Sequence, residues 1–121
     1  MSHSPQDVHK KVLGRKGEKA VCQYLKSNGY VLLERNYRTP FGEADIIALD
    51  KRKDETVFIE VKTRTSDLFG TPREAVTGEK RRRYMQIAKY YGLKQGEEPN
   101  ARFDVAEVDG DGKVDHYQNA F

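Results

Sequence analysis

The chain is short of the residues that most often build covalent or metal-held sites. Its 121 residues include one cysteine, Cys22, and no tryptophan. A single cysteine rules out an intramolecular disulfide and any cysteine-based metal site. Three histidines occur, His3, His9 and His116. None has a partner at metal-ligand spacing, which argues against a histidine-centred site. No apolar run approaches the roughly 20 residues needed to span a bilayer. The opening MSHSPQDVHKK has no apolar stretch of the secretory-signal kind. The expectation is a soluble, cytoplasmic protein of a reducing compartment. Excess charge of one sign is also scarce, with a formal net charge of only +3. That is too mild for a bulk nucleic-acid packager, although the distribution of charge can matter more than its sum.

What remains is sufficient for one folded domain. Hydrophobic residues make up 36% of the chain, with seven Tyr and five Phe, against 34% charged residues. A chain of this length buries roughly two-thirds of its unfolded surface, enough for a core without staples. Residues 1–12 are polar and unpatterned and read as a flexible N-terminal arm, with residues 13–121 as a single domain. Over 14–28 the period is helical, with Ala20, Val21, Tyr24 and Leu25 in one apolar stripe and Gly29 as a stop. "YVLLERNYRT", "EADIIALD" and "TVFIEVKTR" read as three strands joined by the turns "TPFG" and "KRKDE". A loop, "TSDLFGTPREAVTG", leads to a second helix over about 79–93. Its Tyr84, Ile87, Ala88 and Tyr91 recur at helical spacing. "ARFDVAEV" is a further strand, and "KVDHYQ" is predicted to pair back through "DGDG". The order αβββαβ(β) predicts an α/β fold with a central sheet flanked by helices.

The third strand carries the chemistry. In "VFIEVKTR", Val57, Ile59 and Val61 fall on one face, and Phe58, Glu60, Lys62 and Arg64 on the other. Glu60 and Lys62 thus lie side by side, about 7 Å apart along the strand. In isolation this is an exposed ion pair of little consequence. Asp45 stands in "GEADIIA", on a strand expected to neighbour the third, where an aspartate is a poor strand former. Glu18 lies beside the apolar stripe of the first helix, which could pack on the same face. An acid there also suits a helix start. If the three acids and Lys62 converge, their repulsion and desolvation are costly unless a cation joins them. Oxygen ligands favour Mg²⁺ or Mn²⁺. Such an ion polarises a phosphoryl oxygen and activates water, and a lysine can orient that water. This is apparatus for phosphodiester hydrolysis.

Glu18, Asp45 and Glu60-Val61-Lys62, in a helix–hairpin–strand frame, resemble the PD-(D/E)XK nuclease superfamily. Within it, "GRKGEKAVCQYL", "GEADIIA", "FIEVKTR", "FGTPREAV" and "RFDVAEV" resemble the bacterial UPF0102, or YraN, group over about residues 13–110. That group is similar in fold to archaeal Holliday junction resolvases. The resemblance implies a restriction-endonuclease-like core with a mixed central sheet. It further implies an Mg²⁺-dependent endonuclease acting on DNA, with branched or structured DNA in view. Asp45, Glu60 and the backbone carbonyl of Val61 would ligate the metal, Glu18 would join directly or through water, and Lys62 would position the attacking water. The superfamily's Pro-Asp is Ala44-Asp45 here, a departure common in such enzymes. By analogy alone, a two-fold symmetric substrate implies a homodimer. The alternative is a non-catalytic nucleic-acid-binding module on a nuclease fold, acting with a partner protein.

The secondary signals are basic. "EKRRRYMQIAKYY" sets Lys80, Arg81, Arg82 and Arg83 at the start of the second helix. Lys80 and Arg81, with Arg64, are the candidate phosphate contacts; a solvated helix face is the ordinary alternative. Arg35, Arg38 and Arg73 are weaker candidates. Glu43, two residues before Asp45, reads as a turn residue, with an acid supporting Asp45 as the alternative. Asp104 is expected to pair with Arg64 or Arg102, Cys22 to be a small core residue, and Phe41 and Phe69 to pack locally rather than stack on bases.

Overall fold

The computed structural model describes residues 5–64 and 78–121, with side chains from residue 15 onward. The elements follow the order α1 (Pro5–Ser27), β1 (Tyr30–Thr39), β2 (Gly42–Asp50), β3 (Glu55–Thr63), α2 (Gly78–Gln95), β4 (Ala101–Val108) and β5 (Val114–Tyr117). The αβββαβ(β) order expected from the sequence is thus observed.

The first helix is longer than its apolar stripe. It begins at Pro5, so residues 5–12, read above as an arm, are helical. Proline suits the first turn because its fixed φ is helical and its missing N–H would have no partner there. The polar residues that follow include straight-chain helix formers, and hydrophobic periodicity is silent on a helix turn whose sequence has no apolar stripe. Gly17 is buried within this helix. A β-carbon there would lie 3.4 Å from Thr63 Cγ2 and 3.8 Å from Val61 Cγ1. α1 thus crosses close over the end of β3, with room at this position for little more than a methyl group, and Glu18 lies beside that end.

The sheet is mixed, in the order β1-β2-β3-β4-β5. β1, β2 and β3 form an antiparallel meander. β4 pairs parallel to β3, with α2 in the connection, and β5 pairs antiparallel to β4. Each face carries a core. Under α1 lie Val21, Cys22, Leu25, Ile46, Ala48, Val57, Ile59, Ala106 and Val108. Under α2 lie Ala44, Ile47, Phe58, Tyr84, Ile87, Ala88 and Tyr91. Phe58 and Ile59 alternate between the two faces as a strand requires. Residues 44 to 46 do not: Ala44 belongs to the α2 face and Ile46 to the α1 face. Opposite this switch, between the Arg35–Ile46 and Tyr37–Ala44 pairs, stands Asn36 with φ of 51°. Asparagine tolerates that left-handed backbone better than most residues. Asp45 therefore sits where two strands change faces together.

Among the described residues, no helix is long and apolar enough to cross a membrane.

Candidate active site

The β2–β3 ladder runs from Asp50–Glu55 to Ile46–Ile59 and stops there. Past that rung the strands part, and Val61 N–H donates to Asp45 Oδ2 at 2.8 Å. A side-chain carboxylate thus takes a hydrogen bond that a continued ladder would have given to backbone. Lys62 follows on the face that carries Glu60. Its Nζ lies 3.8 Å from Glu60 Oε1. Lys80 of α2 reaches the same oxygen at 2.5 Å. The other oxygen, Glu60 Oε2, is buried and has no hydrogen-bond partner.

Two further acids complete the cluster. Glu18 lies 4.0 Å from Arg35, and Glu43 lies 3.6 Å from Arg38. With its amide nitrogen turned toward the acids, Asn36 donates to Glu18 Oε1 and Glu43 Oε1 at 3.2 Å each. Burial pushes the Asp45 carboxyl up to about 6, opposed by the Val61 hydrogen bond and reinforced by the charges of Glu18, Glu60 and Glu43. Burial also holds the Lys62 ammonium below its ordinary value. Glu60 opposes that shift, and neighbouring Lys80 adds to it. Tyr84 lies in the same field. Its hydroxyl is raised by burial first, then by Glu60 and Asp45.

Glu18, Asp45, Glu60 and Lys62 therefore lie at one end of the sheet. The basic candidates divide. Lys80, expected at phosphate, is turned inward onto Glu60, with only 11% of its side chain exposed. Arg64 does not pair with Asp104. It lies 3.8 Å from Glu107 and 3.6 Å from Asp115. Those two acids face each other across the β4–β5 pair, out of reach of any short-range sequence pattern. Arg81, Arg82 and Arg83 are exposed on α2. Asp104 pairs with Arg102 at 2.9 Å, one of the two partners expected for it. Cys22 is buried, as expected. Phe41 is half-exposed and packs edge-on to Tyr90, with ring centroids 6.5 Å apart. Arg73 and Phe69 lie outside the described residues. Sequence reasoning missed Asn36 as the link between Glu18 and Glu43. The available signal was an asparagine inside an otherwise strand-like run.

Among the described residues, no three Asp, Glu, His or Cys side chains are gathered closely enough to hold a metal ion by themselves. The chemistry of the donors still fits Mg²⁺ or Mn²⁺. These ions keep several waters and need only one or two protein carboxylates. Asp45 and Glu60 are two such carboxylates on adjacent strands, and Glu60 Oε2 is a buried acceptor left without a donor. A buried unsatisfied oxygen on a charged group is costly, and a hard cation would relieve it.

The comparisons with known proteins agree with the motif reading. The model of the uncharacterised protein family UPF0102 matches residues 17–108. A UPF0102 protein of Thermodesulfovibrio yellowstonii is 46% identical over 109 residues, covering 90% of this chain and 95% of that protein. One from Alkaliphilus oremlandii is 45% identical over 117 residues, covering 92% and 98%. Among solved structures, a chain of an EndoMS-dsDNA2 complex aligns with a TM-score of 0.39 at 15% identity. That alignment covers 78% of this chain and only 35% of the other. Likeness that remote assigns neither fold nor activity. The extent and identity of the sequence matches do assign a family: the chain belongs to UPF0102.

Proposed function

We propose that the protein is a divalent-metal-dependent endonuclease that hydrolyses phosphodiester bonds in DNA, with branched or structured DNA as the substrate class. The observation that supports this most is the pair of incompletely compensated carboxylates where β2 parts from β3. Asp45 is strained toward its neutral form by burial and three acidic neighbours. Glu60 keeps one buried oxygen unpartnered. Such an arrangement is costly for a fold and useful for a cation site. The resemblance to the PD-(D/E)XK superfamily supplies the reaction class.

Asp45, Glu60 and the Val61 carbonyl would hold Mg²⁺ or Mn²⁺, with Glu18 acting directly or through water. When bound, the ion would supply Lewis acidity toward a phosphoryl oxygen and a more acidic water. Asp45, tied to Val61 N–H, orients its carboxylate. Lys62, with its ammonium form disfavoured by burial, can accept a proton from water or stabilise charge on phosphate. Arg81, together with Arg82 and Arg83, offers exposed guanidinium groups to the phosphate backbone. A homodimer would suit a two-fold symmetric substrate.

The test is cleavage of single-stranded, duplex, flapped and four-way-junction DNA and of RNA, with Mg²⁺, Mn²⁺ or EDTA. Metal-dependent cutting is expected, with losses on the order of 10²-fold or more in Lys62→Ala and Glu60→Ala. Salt-sensitive binding with no cutting of any substrate would favour the non-catalytic binding module acting with a partner.

A further inference from the structure

We propose that Lys80 is an internal counter-ion that competes with the divalent metal for Glu60, so that the protein binds metal weakly until Lys80 is displaced. The inference rests on the metal site proposed above and adds a residue that sets its affinity. Lysine in the first turn of a helix opposes the helix dipole. Lys80 stands there, third residue of α2. Its neighbours Arg81, Arg82 and Arg83 turn outward, whereas Lys80 is nearly enclosed. A phosphate contact would need the opposite placement. The ammonium meets Glu60 Oε1 at 2.5 Å, inside the 3.8 Å of Lys62. One carboxylate oxygen thus carries two lysines while the other carries no partner.

Two lysines on one oxygen offset the charge of Glu60 before any metal arrives. A divalent ion at Glu60 must then either take Oε1 from Lys80 or occupy Oε2 against the repulsion of both ammonium groups. Lysine and metal are linked reciprocally. Whatever favours one at Glu60 disfavours the other. Lys80 should dominate over Lys62 because charge interaction falls with distance.

The experiment measures Mn²⁺ affinity of the full chain without DNA, by titration calorimetry or by the paramagnetic signal of free Mn²⁺. Thermal unfolding with and without the ion accompanies it. Lys80→Met is expected to bind Mn²⁺ about tenfold more tightly or better, a gain of about 1.4 kcal/mol. Its metal-free Tm should fall and recover with Mn²⁺. Lys62→Met should move affinity less, and Lys80→Arg should stay near the parent. If Lys80→Met folds only with metal present, that is the same result in stronger form, and Lys80→Gln then supplies the affinity. Unchanged or weaker Mn²⁺ binding in Lys80→Met and Lys80→Gln would overturn the inference and leave the metal site standing. Absence of binding in parent and variants alike, or binding that survives Glu60→Gln, would overturn the metal site itself.

Discussion

The buried charges around Arg102 and those around Asp45 and Glu60 sit on one sheet and are built in opposite ways. Around Arg102 every valence is used. The guanidinium, 1% exposed, bonds Asp50 at 2.7 Å, Glu55 at 3.0 Å and Asp104 at 2.9 Å, and Tyr30 at 2.8 Å. His116 Nε2 lies 2.7 Å from Asp104, and Asn119 N–H donates to it at 3.0 Å. Burial alone would raise Asp104. Hydrogen bonds from His116 and Arg102 outweigh it and hold the carboxyl below its ordinary value. At the parting of β2 and β3 the balance is reversed. Burial raises Asp45 to about 6, and Glu60 retains an orphaned oxygen. A satisfied network specifies and rigidifies a fold, whereas an unsatisfied one marks a place where something is missing. Burial is common to both clusters, so burial by itself does not mark function. What separates these two is how completely the buried charges are compensated.

The largest expected effect breaks the satisfied cluster. Arg102→Met leaves Asp50 and Asp104 buried without their cation, and chemical denaturation should show a loss of about 3–5 kcal/mol. The second reverses the sign at the other cluster. Asp45→Asn should stabilise the metal-free protein by about 2–3 kcal/mol at pH 7. An aspartate raised from 3.8 to about 6 disfavours its ionised form in the fold. That penalty grows as pH rises from about 4 through 6 and is complete above it. The gain from Asp45→Asn should therefore vanish near pH 3 and be full at pH 7, in EDTA throughout. Asp50 and Asp104 are depressed and act oppositely: their stabilisation is present at neutral pH and lost as pH falls below the ordinary aspartate range.

Smaller effects sharpen the contrast. Asn36→Ala keeps a β-carbon at a φ of 51° but removes the amide that stabilises that backbone, and loses the link between Glu18 and Glu43. A loss of about 1–2 kcal/mol is expected in thermal or denaturant unfolding, with Asn36→Gly closer to the parent. Arg38→Ala removes an ion pair whose guanidinium side is 85% exposed. Stability should be unchanged within about 0.5 kcal/mol, since exposed pairs contribute little.

Much of this was legible in the chain. The strands "YVLLERNYRT" and "ARFDVAEV" coincide with β1 and β4, because alternation at period 2 and turn residues at their ends are local signals. The stripe Tyr84, Ile87, Ala88, Tyr91 is the buried face of α2. Glu18, Asp45, Glu60 and Lys62 were legible as a set because Asp45 is awkward in a strand, Glu60 and Lys62 share a face, and the combination resembles a known nuclease motif. The N-terminal turns of α1 were not legible, since no apolar period marks them. Neither were the partners of Arg64, which lie on strands more than 40 positions away in sequence.

The sequence by itself determined the order of elements, which residues enter the core, and that a carboxylate and a lysine share one face of β3. Those outcomes depend on side-chain period and backbone preference, which act over a few residues. Only the tertiary structure decided that Asp45 would cap Val61 N–H where two strands change faces. It alone turned Lys80 inward while its arginine neighbours turned out. Charge pairing acts through space, and which oxygen a lysine meets depends on how α2 packs against β3, not on the letters beside it.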